Sequence, residues 1–589
     1  MRKLICILLL AAIAPCLPAG ELNRTPAGTF VFENKLYRFE VAADGGWKSL
    51  KIKGIECLQA DARGFLAQPT LDSPRAQTLL GESEGKQIKF VFEETEFEVN
   101  VFDKNQKGIL DYHHQMARHF GWAVVPSKNG ETFKLPAQRL DNNGGIRFLS
   151  PRGVGFEMTR RTIVPQNSFT FGTSVYAEGG TFIIRPLAQV DPLDLLKFNF
   201  SDFPQGHIFP AGPIVLPTKL ESDSPASLDL TLVTTLETFN TNAPSAVLKT
   251  DRQKVTIAPG ATQAIAARFA PMEPGPYEFQ VSLERNGQIC KEARGTFIYD
   301  AAHWHYPDLE PKDFDAYWAQ TLKEMRAQPL DIKYEEITEH RGVPQGYKYI
   351  SFNGLGGRRV RGLIYIPEKL PAGAKVAAQL ALPGAGYGAA PPEPSALSKG
   401  IVFLALSVHD LPWGGESGRH HPKEYHSKTP YQEEGLRDRD TYFYRFAYTA
   451  AIRAVEVLKA LPAVDPARIT VGGGSQGGSM ALAVAAFCPD LEKVTASVPG
   501  RIRWELLTHK YRANCSFKPP EGMTREEMFA KVLAYYDIAY FARRIKCPVE
   551  LRVSMKDEIN PGPLQYWGYL QIPATTPKQV HINPWGSHG

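Results

Sequence analysis

The stretch Ile469-Thr470-Val471-Gly472-Gly473-Gly474-Ser475-Gln476-Gly477-Gly478 constrains this chain more than any other. Its β-branched start reads as a strand, and residues 478–486 read as a helix. Between them a serine has a glycine two residues away on either side. Strand and helix backbones can approach this closely only where no Cβ intervenes. A serine on so sharp a turn holds its Oγ clear of both. This strand–turn–helix pattern around G-x-S-x-G reads as a nucleophile elbow, and the alternation of strands and helices around it implies a parallel sheet with helices on both faces. The flanking sequence agrees. Strands are predicted near 360–366, 376–382 and 401–407, and a helix over 441–461. Asp313-Phe314-Asp315-Ala316-Tyr317-Trp318 opens a further amphipathic helix.

A serine hydroxyl is a poor nucleophile until a base removes its proton, so an acid and a histidine should follow it in the chain. The predicted strand 549–553 ends at Ser554-Met555-Lys556-Asp557-Glu558. Asp557 is the preferred acid. Glu558, the competitor, should point away if Asp557 faces the site. The next strand, Gln579-Val580-His581-Ile582, runs into Pro584-Trp585-Gly586-Ser587-His588-Gly589. His588, on a loop of small residues, is the candidate base, and His581 inside the strand is read as structural. A developing oxyanion needs two backbone donors. Gln476, next after the nucleophile, supplies one, and Tyr387 in Leu382-Pro383-Gly384-Ala385-Gly386-Tyr387-Gly388 is the candidate for the other.

About half of the chain, residues 304–589, resembles the acetyl xylan esterase / cephalosporin-C deacetylase family, carbohydrate esterase family seven. The resemblance is carried by Asp313 to Trp318, Arg439-Asp440-Thr441-Tyr442-Phe443-Tyr444-Arg445, Val464-Asp465-Pro466-Ala467-Arg468-Ile469, the Gly473–Gly478 elbow, and Lys546-Cys547-Pro548-Val549 leading to Asp557. It implies an α/β-hydrolase fold and removal of acetyl groups from short acetylated sugars. It also implies Ser475 as nucleophile, Asp557 as acid and His588 as base, with Tyr387 and Gln476 at the oxyanion hole. Arg439 to Arg445 is read as buried pairing that anchors a helix. Two departures bear on substrate. The family's usual His-Gly-Tyr is Ala385-Gly386-Tyr387 here, and its Asp-x-Arg-Gly is Asp410-Leu411-Pro412-Trp413-Gly414. Trp413 is a candidate either to stack on a sugar or to fill space. Family members are often ring-shaped homo-oligomers, an assembly that added N-terminal domains would obstruct.

The N-terminal half reads differently. Tyr37, Phe39 and Val41 alternate with polar residues, as do Ile88, Phe90 and Phe92, then Phe97, Val99 and Val101, then Leu228, Leu230 and Leu232. Period-two alternation marks strands with one face in a core. The expected fold class is therefore a multidomain chain, with an all-β sandwich N-terminal region and a C-terminal α/β-hydrolase. The sandwich is assigned to 21–240, and its opening loosely resembles galactose-mutarotase-like supersandwich domains. A short immunoglobulin-like spacer is assigned to 241–300, and the hydrolase to 301–589. His113, His114 and His119 are read as surface and core histidines.

Residues 1–20 read as a secretory signal. Arg2 and Lys3 precede an apolar run over 4–14, too short to span a bilayer, and Pro15 and Pro18 end it. Cys16 raises a lipoprotein alternative that Pro15 disfavours. The protein is expected to be secreted or periplasmic. Net charge is +5, and +3 without Arg2 and Lys3, too weak to argue for nucleic acid or a membrane surface. The five cysteines beyond the leader have no C-x-x-C spacing, which argues against a zinc site. A Cys515–Cys547 bridge competes with buried free thiols. No metal or cofactor is expected, and the expected partner is an acetylated carbohydrate. Two alternatives stay open: another ester or peptide hydrolase on the same scaffold, and a glycan-binding protein with an inactive hydrolase. Because α/β-hydrolases commonly follow the base loop with a helix, the sequence is also expected to be a fragment of a longer chain.

Overall fold

The computed structural model describes residues 21–41 and 191–588, apart from 240–244, 339–341, 369, 372, 414–419, 427–429 and 507–517. Between 42 and 190 it describes strand backbones. The leader, His113, His114, His119 and Cys515 lie outside the described residues.

From 21 to 187 every described element is a strand. They form a five-stranded sheet, a nine-stranded sheet and a two-stranded pair, with antiparallel pairing throughout. The alternating segments around Tyr37, Ile88 and Phe97 all fall on these strands.

Residues 196–299 build a separate two-sheet sandwich. One sheet holds Leu196–Asn199, Ile214–Ser222 and Thr262–Phe269. The other holds Ile208–Phe209, Gln288–Tyr299, Gly275–Arg285, Leu228–Thr238 and Val247–Ile257. Leu216 and Leu220 of the first sheet share one core with Leu232, Leu236, Phe279, Val281 and Phe297 of the second. The domain boundary placed at 240 is therefore corrected. Leu228–Thr238 pairs on one side with Val247–Ile257 and on the other with Gly275–Arg285. A cut at 240 would strip a central strand of both neighbours and expose two edges. The spacer takes its missing strands from residues before 240.

The C-terminal half is a nine-stranded mixed sheet. In chain order its strands are β1 (Lys333–Glu336), β2 (Tyr347–Asn353), β3 (Arg359–Tyr365), β4 (Val376–Leu382), β5 (Val402–Ser407), β6 (Val464–Gly474), β7 (Lys493–Ser497), β8 (Val549–Ser554) and β9 (Lys578–Asn583). The spatial order is β1-β2-β3-β5-β4-β6-β7-β8-β9. The β1–β2, β2–β3 and β3–β5 pairs are antiparallel, and the rest are parallel. This strand order with helical crossovers is the α/β-hydrolase architecture that the resemblance implied. The helix Gln476–Phe487 is apolar nearly all round and buried over most of its length, as a helix in the middle of a core must be. Phe443–Ala460 packs beside it. Trp318, fully buried on the helix Phe314–Arg326, donates its Nε1–H to Tyr535 O at 2.9 Å. Arg439 and Arg445 tie that helix down through Asp313 at 2.8 Å and Glu324 at 2.8 Å. Among the described residues, no helix is long and apolar enough to cross a membrane. Cys488 and Cys547 are buried free thiols, and burial pushes them up to about 12 and about 11 respectively.

The sandwich and the hydrolase meet along an aromatic seam, and Ile298 of the sandwich also joins the hydrolase core. Trp585, just past β9, lies 5.1 Å from Phe200, 5.1 Å from His207 and 6.2 Å from Phe279, centroid to centroid. A Cβ added at Gly206 would come within 2.7 Å of Ile582 on β9, so the sandwich backbone sits directly against the last strand. We expect residues 191–300 expressed alone to give a cooperatively melting β-protein by circular dichroism, and residues 241–300 alone to give an unfolded one. Cooperative melting of the shorter fragment would contradict the shared core.

Candidate active site

Ser475 stands between β6 and the helix Gln476–Phe487 with φ 55° and ψ −119°. A non-glycine residue rarely adopts positive φ, and such backbone costs about 1–3 kcal/mol unless its surroundings over-determine it. Here they do. Ser475 N–H donates to Ser497 O at 2.9 Å. A Cβ at Gly473 would lie 2.6 Å from the Gly477 backbone, and one at Gly478 would lie 2.7 Å from Ser497 O. One at Gly477 would run into the Leu382 carbonyl. The glycines read from the sequence are thus required by backbone contact on three sides.

Asp557 follows β8, and its side chain is wholly buried. Its Oδ1 accepts the N–H groups of Ile559 and Asn560, both at 2.8 Å. Its Oδ2 accepts Gln565 Nε2–H at 2.9 Å and His588 Nδ1–H at 2.8 Å. Four donors hold the carboxylate in one orientation. An Nδ1 facing a carboxylate carries the ring proton, which leaves His588 Nε2 as the bare nitrogen. Glu558 is exposed and His581 lies half-exposed on its strand, 3.7 Å from Glu550. The Ser475 hydroxyl has Asn560 Nδ2 at 3.5 Å. Among the described residues the structure brings His588 onto Asp557 but not into a hydrogen bond with Ser475. Such contacts are often loose without substrate.

A tyrosine links Gln476 to Gly386, the residue before Tyr387. Tyr431 Oη accepts Gly386 N–H at 2.9 Å and donates to Gln476 Oε1 at 3.1 Å. Gln476 Oε1 also accepts Tyr444 Oη–H at 2.6 Å, and Gln476 Nε2–H donates to Gly384 O at 3.2 Å. On the other side, His409 Nε2–H donates to Gly386 O at 3.0 Å. In a trans peptide C=O and N–H point in opposite directions. The His409 contact therefore turns the Tyr387 N–H away from His409. The Tyr387 ring stacks on His426 at 3.9 Å. Trp413 stacks on Tyr349 at 5.1 Å and on His421 at 4.6 Å, so these partners take up the ring and favour space-filling over sugar stacking.

Sequence reasoning missed His409, Tyr431, Asn560 and Gln565. Asn560 and Gln565 follow Asp557 within one turn-and-helix segment, a proximity that could have flagged them. Nothing in the local sequence marks His409 or Tyr431.

Three histidines are buried uncharged. Desolvation pushes His409 down to about 3, and His207 and His421 down to about 4. Unfolded, each takes up a proton near 6.5. Below that pH the unfolded state binds more protons, so stability is present at neutral pH and declines on acidification. His409 alone should account for up to about 2–3 kcal/mol of the loss by about pH 4.5. The drop in melting temperature between pH 7 and pH 4.5 should shrink in His409→Gln, whose amide can still donate to Gly386 O. An unchanged drop would rule this out.

The family described as Acetyl xylan esterase (AXE1) matches residues 302–589. Over 289 residues the chain is 28% identical to the acetyl esterase Axe7A of Xylanibacter ruminicola, covering 47% of this chain. It spans 63% of that relative's length. Among solved structures it is similar to acetyl xylan esterase 1 from Thermoanaerobacterium sp. JW/SL YS485, at 23% identity and TM-score 0.39, over 47% of this chain and 89% of that one. It is also similar to the acetyl xylan esterase from Paenibacillus sp. R4, at 21% identity and TM-score 0.40, over 48% of this chain and 92% of that one. The elbow and the Asp557–His588 pair both fall within residues 302–589, the segment that the acetyl xylan esterase family model matches.

Proposed function

We propose that this chain is an exported serine esterase that removes acetyl groups from acetylated oligo- or polysaccharides of the xylan type through an acetyl-enzyme intermediate. The observation that carries the reading is a strained Ser475 elbow on the same sheet as a buried Asp557 bonded to His588 at 2.8 Å. The family match and the acetyl esterase relative support the acetyl group as the one removed. The leader read over residues 1–20 supports export.

In this mechanism Ser475 Oγ attacks the acetyl carbonyl while His588 Nε2 takes its proton. Asp557 holds the imidazole in the right tautomer and stabilises the imidazolium. The Oγ–C bond forms, the carbonyl becomes a tetrahedral oxyanion, and the sugar oxygen leaves with the proton from His588. Water then repeats the sequence on the acetyl-enzyme and releases acetate. The oxyanion is met by the N–H groups of Tyr387 and Gln476. Gln476 opens a helix, where the first N–H groups have no intrahelical partner and the dipole favours negative charge. The Tyr431 and His409 contacts on Gly386 support the Tyr387 assignment, because they leave that peptide little freedom to flip.

Ser475→Ala should lower hydrolysis of a small acetate ester by on the order of 10⁴-fold or more, with the fold unchanged. Wild type should release acetate from acetylated xylo-oligosaccharides and leave peptides uncut. Serine-independent turnover would sink the mechanism, and peptide cleavage without acetate release would sink the substrate class. Gln565→Leu should leave Asp557 short of one donor and lower kcat by about ten-fold with little change in KM, measured on the same ester.

A further inference from the structure

A cleft of about 770 Å³ opens along the seam between the sandwich and the loops that carry Asp557 and His588. One wall is aromatic. Phe198 stacks on Phe200 at 6.1 Å, Phe200 meets Trp585 at 5.1 Å, and Trp585 keeps 40% of its surface exposed. The remaining walls are cationic. Lys197, Lys291, Arg294 and Lys556 line the cleft against a single carboxylate, Glu292. That carboxylate is already engaged, by Gln280 Nε2–H at 2.7 Å and by Arg294 at 3.8 Å, and Arg294 also lies 3.9 Å from Glu237 outside the cleft, so Lys197 and Lys556 carry most of its excess charge. Lys291 is held in the wall by Leu193 O at 3.3 Å, and the Lys556 ammonium sits 5.6 Å over the Trp585 ring.

This pairing of surfaces is selective. Concave walls of one charge sign focus the field and concentrate counter-ions. A neutral glycan would make no use of that excess charge, and a small free anion would make no use of the aromatic wall. An oligosaccharide that carries a carboxylate uses both. Its C–H ring faces can lie on the aromatics while its acid group meets the cations. The cleft also shares its loops with the catalytic pair. Lys556 precedes Asp557 by one residue and Trp585 precedes His588 by three. Lys556 N–H donates to Gly586 O at 3.0 Å, which ties the two loops together.

We propose that this seam is a second carbohydrate site, which takes an oligosaccharide bearing a carboxylate (a uronic-acid-substituted chain). Its sugar rings lie against Phe198, Phe200 and Trp585, and its carboxylate faces Lys197, Arg294 and Lys556. The inference rests on the reading that the substrate is a glycan, and it adds the class of glycan that is held near the catalytic loops.

The test is calorimetric binding to the full chain carrying Ser475→Ala. Three probes are used: a glucuronic-acid-substituted xylo-oligosaccharide, the unsubstituted oligosaccharide of equal length, and free glucuronate. The substituted chain should bind about ten-fold or more tighter than either of the others. Lys197→Gln with Arg294→Gln should remove that preference, and Lys197→Arg with Arg294→Lys should restore it. Phe198→Ala should weaken the substituted chain and leave free glucuronate unchanged. Equal binding of acidic and neutral chains, or an unchanged preference in the Gln double variant, would overturn the site. Free glucuronate binding as tightly as the substituted chain would reduce it to a simple anion site and overturn the proposal as stated. Acetate release by wild type from neutral acetylated oligosaccharides is measured separately. Its failure with binding intact sinks the esterase reading, and the reverse outcome sinks this site alone.

Discussion

The backbone contacts around Ser475 are the constraint on which the catalytic half depends. Three glycines let β6, the following helix and the end of β4 approach to a distance that no Cβ would allow. That approach holds a non-glycine residue at φ 55°. The same contacts seat the apolar helix Gln476–Phe487 on the centre of the sheet, where the largest hydrophobic cluster forms. Strain at one residue is sustained by burial spread over many, which is how a locally unfavourable turn persists.

Around this turn, polar groups are organised in two shells. On one side four donors orient Asp557, and Asp557 orients His588. On the other, His409 and Tyr431 grip the two ends of Gly386. Asp557, Gln565, His409 and Tyr431 are buried, where an unmade hydrogen bond costs more than in water. The base loop has a further support from outside the hydrolase. Trp585 is packed by Phe200, His207 and Phe279 of the sandwich. The two halves of the chain therefore share a wall at the loop that ends in His588.

Much of this was legible in sequence because it is local. The elbow is ten consecutive residues whose glycine spacing has one steric explanation. The pairing of Asp557 with His588 is legible because the two residues follow the ends of neighbouring strands. The Trp413 choice was not, since one of the two rings that enclose it, Tyr349, comes from 64 residues earlier in the chain. The boundary at 240 failed for a similar reason. A turn-rich stretch resembles a linker, but the strands on either side of it pair across it. Period-two patterning marks a strand and its buried face, and says nothing about which strand lies alongside.

The sequence alone thus determined the strand–turn–helix at Ser475, the placement of Asp557 and His588 after the last two strands, and the division into a β-rich half and an α/β half. These follow from short-range sterics and periodicity, which act between residues close along the chain. The tertiary structure alone decided which side chains orient the acid, what holds the Gly386–Tyr387 peptide, and where the sandwich meets the base loop. His409 meets Gly386 across 23 residues, and Phe200 meets Trp585 across 385. Such contacts depend on how sheets and loops stack in space, and burial and hydrogen-bond satisfaction select among packings that local pattern leaves equivalent.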